Sequence, residues 1–406
     1  MGEGEATKQA VGGATPGRWA GFRRVFGAQE SGLLLVIVLM MAGLTLFSPT
    51  IEQRLTYNVP TDASIERSPD DAVRVVLPSG RARVFEPEVR PRVIESRTTG
   101  VRTVVTTTPV NRFLNLTNLT QVATQASFIA IMAVGMTAII VLAGIDLSIG
   151  SIYGLAAFVG AMAMSALDAS VGWWISVPVG VGVCCLVGAA CGLANGLMIV
   201  GFRVHPFVIT LGMMAALRGL IFVLSQGQSI GGFPPSYTSG FFRLEFLGVY
   251  PVPIAFMVVV ALIGMFVLSR TVLGRRVFAT GGNETAARYA GIPVGRVKII
   301  VYTLAGLLAG LSGAIYCGYF GAAEPGAGTA YELQVIAATV IGGASLMGGR
   351  GTAAGAVLGA IIIQLINNGM LILEIDQQYN QIVMGVAIIL AVVIDQAKQR
   401  LGARGR

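Results

Sequence analysis

Apolar runs long enough to cross a lipid bilayer recur along this sequence and constrain its fold more than any other feature. A membrane-spanning helix needs about 20 consecutive apolar residues. Ten candidate runs, two of them short and Gly-rich, lie at 31–50, 121–143, 149–167, 173–200, 206–225, 251–269, 298–319, 333–347, 352–372 and 381–396. Because a backbone in lipid must satisfy its own hydrogen bonds, we expect an all-α polytopic membrane protein. The 12% of charged residues agrees, since soluble domains carry about twice that fraction.

Basic residues near the ends of these runs predict the orientation, because Arg and Lys favour the cytoplasmic side. With ten spans and a cytoplasmic N-terminus, that side holds Arg18, Arg23, Arg24, Arg203, Arg270, Arg275, Arg276, Arg288, Arg296, Lys298, Arg350, Lys398, Arg400, Arg404 and Arg406. We therefore expect a cytoplasmic tail at 1–30, a first transmembrane helix at 31–51 and a cytoplasmic basic tail at 397–406. The net charge of +8 reflects this topology, and no nucleic-acid partner is expected.

Residues 52–112 break the apolar pattern, with ten Arg and eight acidic residues. Two segments alternate around turn residues, VRVVLPSGRARVF (73–85) and RVIESRTTGVRTVVTTT (92–108). Alternation around such turns predicts two β-hairpins. We expect a small β-rich extracytoplasmic insertion, which either contacts a partner protein or is a tolerated surface insertion.

The longest predicted cytoplasmic connection, 270–298, contains its own helix signals. Asn283 suits an N-cap, Glu284 lies in the first turn where an acid is favoured, and Gly291 suits the position just after the helix. The segment ETAARYA between them is long enough for two turns. A short helix flanked by basic residues on the cytoplasmic face can dock onto a partner; it can also rest on lipid headgroups.

The stretch GIDLSIGS (144–151) places Asp146 as the only charged residue between Arg112 and Asp168. A charge at membrane depth is costly and faces the protein interior or water. Asp146 can line or gate a translocation path with Ser148 and Ser151, or it can cap the next helix by accepting from the N–H of Ser148 or Ile149. Both interpretations remain open.

Further polar residues in the apolar runs are candidates for the same path. Arg218 can extend to the outer interface or pair with an acid in the pathway. Glu332, Asn367 and Asn368 can also reach the interior, although Asn side chains in spans often bond neighbouring helices. The segments at 144–161 and 342–360 share a Gly-x-x-Leu-x-x-Gly start, and paired Gly-interrupted segments are typical of transporter repeats.

Five segments together resemble the permeases of ATP-binding-cassette (ABC) importers, in their monosaccharide (ribose/xylose/galactose-type) branch. These are GIDLSIGS (144–151), NGLMIVGFRVHPFVITLGMMAALRGL (195–220), GRRVFATGGNETAARYAGI (274–292), YELQVIAATVIGGASLMGGRGTAAGAVLGA (331–360) and NNGMLIL (367–373). The resemblance covers about 113–396, the expected permease transmembrane domain. The related branched-chain amino-acid permeases tend to carry Asn where this chain has Asp146. The insertion at 52–112 departs from the family pattern.

This resemblance implies an importer subunit in a bacterial plasma membrane, with a separate ABC ATPase, an extracytoplasmic solute-binding protein and a second permease subunit. It assigns 270–298 as the coupling loop, with Asn283, Glu284, Ala286, Ala287, Arg288 and Gly291 meeting the ATPase. None of the three lysines lies in a P-loop motif, in which a Lys follows a Gly-rich loop. ATP and Mg²⁺ would therefore bind the partner, and we expect this chain to bind no cofactor and to catalyse no reaction.

Other classes fit the residues less well. Cys184, Cys185, Cys191 and Cys317 all lie in predicted spans, and His205 is the only histidine. We therefore expect no metal site, and the spans hold no clustered catalytic set for a membrane-embedded enzyme. The alternatives that remain are a permease of the same architecture for nucleosides or branched-chain amino acids, and an ion-coupled secondary transporter.

Overall fold

The computed structural model describes residues 28–393 except 61, 69–70, 80, 96–101, 247, 388 and 391–392. Its helices are α1 (Ala28–Phe47), α2 (Leu116–Val141), α3 (Ile149–Ser165), α4 (Trp173–Phe202), α5 (Pro206–Ser225), α6 (Pro251–Arg270), α7 (Val272–Gly282), α8 (Glu284–Tyr289), α9 (Val294–Phe320), α10 (Tyr331–Ile341) and α11 (Ala353–Ile372). Its strands are β1 (Thr50–Val59), β2 (Ser64–Arg67), β3 (Val73–Val76), β4 (Ala82–Phe85), β5 (Arg92–Glu95), β6 (Arg102–Asn111), β7 (Ile230–Gly231) and β8 (Ala322–Ala323).

The predicted all-α polytopic fold is confirmed. Within the described residues, seven helices are long and apolar enough to cross a membrane: α1, α2, α4, α5, α6, α9 and α11. The two runs noted as short form α3 and α10, of 17 and 11 residues, and α10 ends well before the predicted limit of 347. Of the tenth run, 381–387, 389, 390 and 393 are helical. The two terminal tails lie outside the described residues, apart from 28–30.

Glycines set the central packing of the bundle. Helix α2 is buried along most of its length and contacts α9, α11, α6 and α10. Where α4 crosses α9, Gly188 and Gly192 face Gly306 and Gly310, and an added Cβ on Gly306 would overlap the Gly188 carbonyl oxygen. Small residues allow two backbones in a membrane to approach closely, so this crossing positions α4 and α9 as one unit.

The insertion forms two three-stranded antiparallel sheets, β1-β6-β5 and β2-β3-β4. The predicted hairpins are both present, as β3–β4 and β5–β6, although the RTTG turn (97–100) lies outside the described residues. Sequence analysis missed the longest pairing, in which β1 runs beside β6 from Thr50↔Asn111 to Val59↔Arg102. Local patterns cannot reveal that pairing, because the two strands are far apart in the sequence.

The insertion has its own apolar core and is attached to the membrane helices at its base. Val59, Ala63, Val73, Val75 and Val104 are buried together, away from the bundle. At the base, the Asn111 amide donates to the Thr45 carbonyl at 2.9 Å, the Phe113 N–H donates to Ser48 Oγ at 2.9 Å, and Arg112 pairs with Glu374 at 3.0 Å. The base of the insertion is therefore held by contacts with the end of α1 and with the residue Glu374 after α11.

Candidate functional site

Asp146 lies in the break between α2 and α3 and organises a tight turn there. Its Oδ1 accepts from the Ser148 N–H at 2.8 Å and from Ser148 Oγ at 2.6 Å. The predicted bond from the Ser148 N–H is therefore present, but it closes a turn before the helix, because α3 begins at Ile149 and its N-cap is Ser148. Asn195 of α4 extends the cluster, since its Nδ2 donates to Ser148 Oγ at 2.8 Å.

This cluster is closed to solvent in the described conformation. Asp146, Ser148 and Asn195 are 0% exposed and Ser151 is 1% exposed. Asp146 Oδ2, Asn195 Oδ1 and Ser151 Oγ have no hydrogen-bond partner among the described residues. The side chains predicted for a path here lie inside one protomer, where they join α2, α3 and α4.

Residues of α9 and of the segment between α10 and α11 donate hydrogen bonds to the break and to the end of α2. Tyr302 Oη of α9 donates to the Ile145 carbonyl at 3.2 Å. The Gly349 N–H, from the second helix break between α10 and α11, donates to the Val141 carbonyl at 2.8 Å. The second break therefore contacts the end of α2, directly before the first break.

The connection between α6 and α9 is more structured than predicted. In addition to the expected short helix α8, it contains α7, which sequence analysis missed. Asn283 ends α7 and begins α8: its N–H donates to the Ala279 carbonyl at 3.2 Å, and its Oδ1 accepts from the Ala286 N–H at 2.9 Å. The predicted N-cap at Asn283 is confirmed.

Gly291 ends α8 in the predicted way. Its φ is +80°, a conformation that glycine adopts without steric cost. The Gly291 N–H donates to the Arg288 carbonyl at 3.1 Å, and the Ile292 N–H donates to the Ala287 carbonyl at 3.0 Å. This pair of bonds is the Schellman motif, so α8 is a rigid two-turn element with defined ends.

Glu284 binds side chains of its own chain, which the sequence did not reveal. Its Oε1 pairs with Arg288 at 2.9 Å, and its Oε2 pairs with Lys298 of α9 at 2.8 Å. The hydrogen bond from Lys298, followed by the Lys298 charge and the Arg288 contacts, holds the pKa of the Glu284 carboxyl below its ordinary value. Glu284 therefore anchors α8 to the start of α9.

Fewer residues of α8 are accessible to a partner than the resemblance implies. Ala287 is 5% exposed and packs against the chain itself. Thr285, Ala286 and Arg288 are exposed, and the Tyr289 ring is 89% exposed. A cleft of about 920 Å³ beside α8 is lined by Arg203, His205, Arg296 and Lys298 among other residues, so α8 presents an aromatic side chain next to a basic recess.

Arg218 and Glu332 lie close enough for their opposite charges to attract each other. Arg218 Nη1 donates to the carbonyls of Ala327 at 2.8 Å and Pro325 at 3.3 Å. The guanidinium therefore holds the loop before α10, which sequence analysis did not predict, while its attraction to Glu332 agrees with the acid-pairing expectation. The Glu332 carboxylate packs against the start of α3, where a Cβ added to Gly150 would lie 2.6 Å from Oε2.

The neighbouring residues Asn367 and Asn368 have different surroundings. Asn368 and Asn118 exchange two side-chain hydrogen bonds, at 2.7 and 3.2 Å, which is the packing role expected for an Asn in a span. Asn367 instead lines a cavity of about 310 Å³ together with Gln125, Tyr331, Gln334, Gln364, Met370 and Asn380. Sequence analysis did not select Gln125, Gln334, Gln364 and Asn380, although Gln364 and Asn367 are one helical turn apart.

Residue types that bind metals are dispersed. Within the described part of the chain, no three His, Cys, Asp or Glu side chains are close enough to hold a metal ion. All four cysteines are free thiols. His205 is the N-cap of α5, and its Nδ1 accepts from the Phe207 N–H at 3.3 Å.

Comparison with known proteins identifies the family. A family model described as "Branched-chain amino acid transport system / permease component" matches residues 118–392. The ribose import permease protein RbsC of Escherichia coli K12 is 43% identical over 290 residues, which cover 71% of this chain and 88% of that protein. The D-allose transport system permease protein AlsC of the same strain is 40% identical over 284 residues, 70% of this chain and 85% of that protein.

A third relative is named for a further sugar. The galactose/methyl galactoside import permease protein MglC of Haemophilus influenzae is 35% identical over 298 residues, 70% of this chain and 88% of that protein. No solved structure gives a significant match. With its apolar helices, its matched span and these relatives, the chain is a multi-pass membrane protein that belongs to the family of ABC importer permeases that includes the ribose, allose and galactose permeases.

Proposed function

We propose that this chain is the permease subunit of an ATP-driven importer that moves a monosaccharide into the cytoplasm by alternating access. The observation that carries the proposal is the set of relatives named as sugar permeases, at 35–43% identity over about 70% of this chain. An extracytoplasmic binding protein would deliver the sugar, and a second permease subunit would complete the path. The membrane would be a bacterial plasma membrane, with both termini cytoplasmic.

Helix α8 would receive the conformational change from the ATPase. Its ends are fixed by the Asn283 cap and the Gly291 motif, and Glu284 joins it to Lys298 of α9. A movement of α8 would therefore pass to α9, which packs against α2, α3 and α4. The ATP and Mg²⁺ would bind the partner subunit, and α8 would transmit force without taking part in hydrolysis.

The first experiment is uptake of labelled ribose, xylose, arabinose, galactose and inositol in cells with and without this chain, with its ATPase and binding protein co-expressed. We expect uptake of one sugar to depend on this chain and to stop on ATP depletion. Uptake that survives ATP depletion with the ion gradient clamped would contradict the ATP-driven mechanism and favour a secondary transporter.

A branched-chain amino acid is the second candidate substrate, because the matched family model carries that description. Adding labelled leucine and a labelled nucleoside to the same panel separates these alternatives. Leucine uptake without any sugar uptake would overturn the sugar assignment and leave the importer architecture in place.

The coupling role can be tested through the most exposed side chain of α8. Because Tyr289 is 89% exposed, Tyr289→Ala removes no internal packing, and we expect normal insertion with at least about a tenfold loss of uptake, the effect of losing one well-packed interface contact. Tyr379→Ala is the matched control, since Tyr379 is 56% exposed outside the coupling loop. Full uptake and full ATPase co-purification by Tyr289→Ala would contradict the docking role.

A further inference from the structure

The cavity that contains Asn367 is built from amide side chains on four segments of the fold. Gln125 comes from α2, Gln334 from α10, Gln364 and Asn367 from α11, and Asn380 from the helical segment that follows. The expected topology places the start of α2, the start of α10 and the end of α11 at the extracytoplasmic side. The cavity therefore lies where a solute released outside the membrane would first enter the bundle.

The lining excludes several kinds of ligand by its chemistry. None of the residues that line the cavity is charged, so an amino acid would leave its ammonium and carboxylate without ionic partners, which is costly away from water. Only Met370 is aliphatic in character, so a leucine or valine side chain would find little apolar surface. Amide groups both donate and accept hydrogen bonds, as the hydroxyl groups of a neutral sugar do.

Two acceptor atoms in the lining lack partners in the structure. Asn367 Oδ1 and Asn380 Oδ1 are shielded from solvent and accept no hydrogen bond from a described residue. An unsatisfied buried acceptor costs about 1–3 kcal/mol. A hydroxyl donor from a ligand in the cavity would remove that cost, which a purely structural role for these residues leaves in place.

Tyr331 adds an aromatic surface whose position is fixed by a second ring. Its ring packs on that of Tyr153, with centroids 5.4 Å apart and an interplanar angle of 36°. Tyr153 is fully buried, so it serves as a firm support. Pockets for drug-sized ligands occupy about 300–1,000 Å³, and a cavity of about 310 Å³ is at the small end of that range.

We propose that this amide-lined cavity is a transit site for a neutral polyhydroxylated solute, a monosaccharide, on its way through the protomer. The proposal rests on the proposed import function and adds to it the residues that contact the sugar. The amides would exchange hydrogen bonds with the sugar hydroxyls, while Tyr331 would pack against a ring face. The absence of charge among the lining residues would keep binding weak enough for release.

The first test replaces amides by apolar side chains of similar size. Gln334→Leu, Gln364→Leu and Asn367→Leu should each lower sugar uptake about tenfold, since one hydrogen bond of 1.4 kcal/mol changes binding by that factor. The matched control is Gln121→Leu, because Gln121 lies one turn before Gln125 on α2 but is exposed and outside the cavity. The amount of inserted protein is measured for every variant.

The second test locates the sugar without any substitution. The whole importer is illuminated with a diazirine derivative of the transported monosaccharide, and labelled peptides are identified by mass spectrometry. We expect labels within 116–141, 331–341 and 353–372, competed by the unmodified sugar. Labels confined to other segments, or normal uptake by all three Leu variants, would overturn the transit site while sugar import stands. No uptake of any sugar by the unmodified chain would instead overturn the proposed function.

Discussion

Two polar regions of this molecule differ in how open they are to a solute, and the difference is the opposite of what the sequence suggests. The Asp146 break contains a carboxylate in an apolar run, yet it is buried inside the protomer, where Asp146 accepts from Ser148 and Asn195 donates to Ser148. The cavity near Asn367 contains only neutral amides among its polar groups apart from Tyr331, yet it is open enough to hold a small solute. The geometry favours a structural role for the charged region, and the proposed transit site would place the transported molecule at the neutral region.

The difference follows from the cost of burying each kind of group. A carboxylate at membrane depth needs fixed donors around it, which a moving sugar cannot supply at every stage of transport. When the ligand leaves, a site lined by neutral amides is left with a smaller free-energy cost than a site that holds an ion, because burying an amide costs less than burying an ion. A buried charge in this fold is therefore better suited to holding helices together than to contacting a neutral solute.

The largest expected effect comes from Gly281→Ala, which breaks the packing around the Asp146 region. An added Cβ would overlap the Val141 carbonyl oxygen, whereas the adjacent Gly282 has open space around it. We expect a loss of about 3 kcal/mol, the upper end for forced overpacking, and little inserted protein. Gly282→Ala should behave like the unmodified chain in the same thermal melts, and equal melting of both variants would contradict the close contact.

A smaller effect is expected from Asp146 itself, and two variants separate its possible roles. Asp146→Ala leaves the Ser148 N–H and hydroxyl without their acceptor, so we expect a loss of about 2 kcal/mol in thermal or denaturant unfolding. Asp146→Asn retains Oδ1 and should unfold and transport much like the unmodified protein. A stable Asp146→Asn protein with uptake reduced tenfold would break the comparison, because the charge would then act in transport.

Tyr331 sharpens the comparison from the side of the cavity. Tyr331→Leu removes the aromatic surface and should lower sugar uptake several-fold, since one aromatic contact contributes about 1 kcal/mol. Tyr331→Phe keeps the ring on Tyr153 and should retain most of the uptake. If the two variants transport sugar equally well, the ring makes no contact with the sugar.

The smallest effect on stability is expected at Glu284, whose partly exposed ion pairs serve as a reference for both interior regions. The folded-state pKa of this carboxyl lies below its ordinary value, so its contribution to stability is present at neutral pH and is lost as the pH falls through the lowered pKa. Exposed pairs contribute less than about 1 kcal/mol. Glu284→Gln should lower the melting temperature slightly at neutral pH and leave it unchanged below the lowered pKa, and no loss at neutral pH would contradict the pairing with Lys298.

The helices and their caps could be predicted from the sequence because the signals are local. Apolar runs predicted nine described helices, eight of them to within about five residues at each end, and α8 follows from Asn283 and Gly291. The helix α7 was missed because its composition, VLGRRVFATGG, mixes Gly and Arg without a span-length apolar run. The β1–β6 ladder was missed because pairing across 50 residues leaves no local pattern.

The candidate sites were predictable only in part, for a physical reason. A lone acid in an apolar run is conspicuous, so Asp146 was selected, but only the structure shows that its neighbours enclose it. The cavity brings together amides from 125, 334, 364, 367 and 380, which are far apart in the chain. Each of them alone is an ordinary polar residue in a helix, and only tertiary packing places them around one space.

The insertion enters and leaves the membrane domain at a single point. Its first and last strand residues, Thr50 and Asn111, are partners in the ladder, and the Arg112 N–H donates to the Pro49 carbonyl at 3.1 Å. Because its core is separate from the bundle, the β unit is a separate module whose two chain connections to the membrane domain lie side by side. Evolution could add it, and an engineer could excise or exchange it by joining Pro49 to Arg112, without rethreading any transmembrane helix.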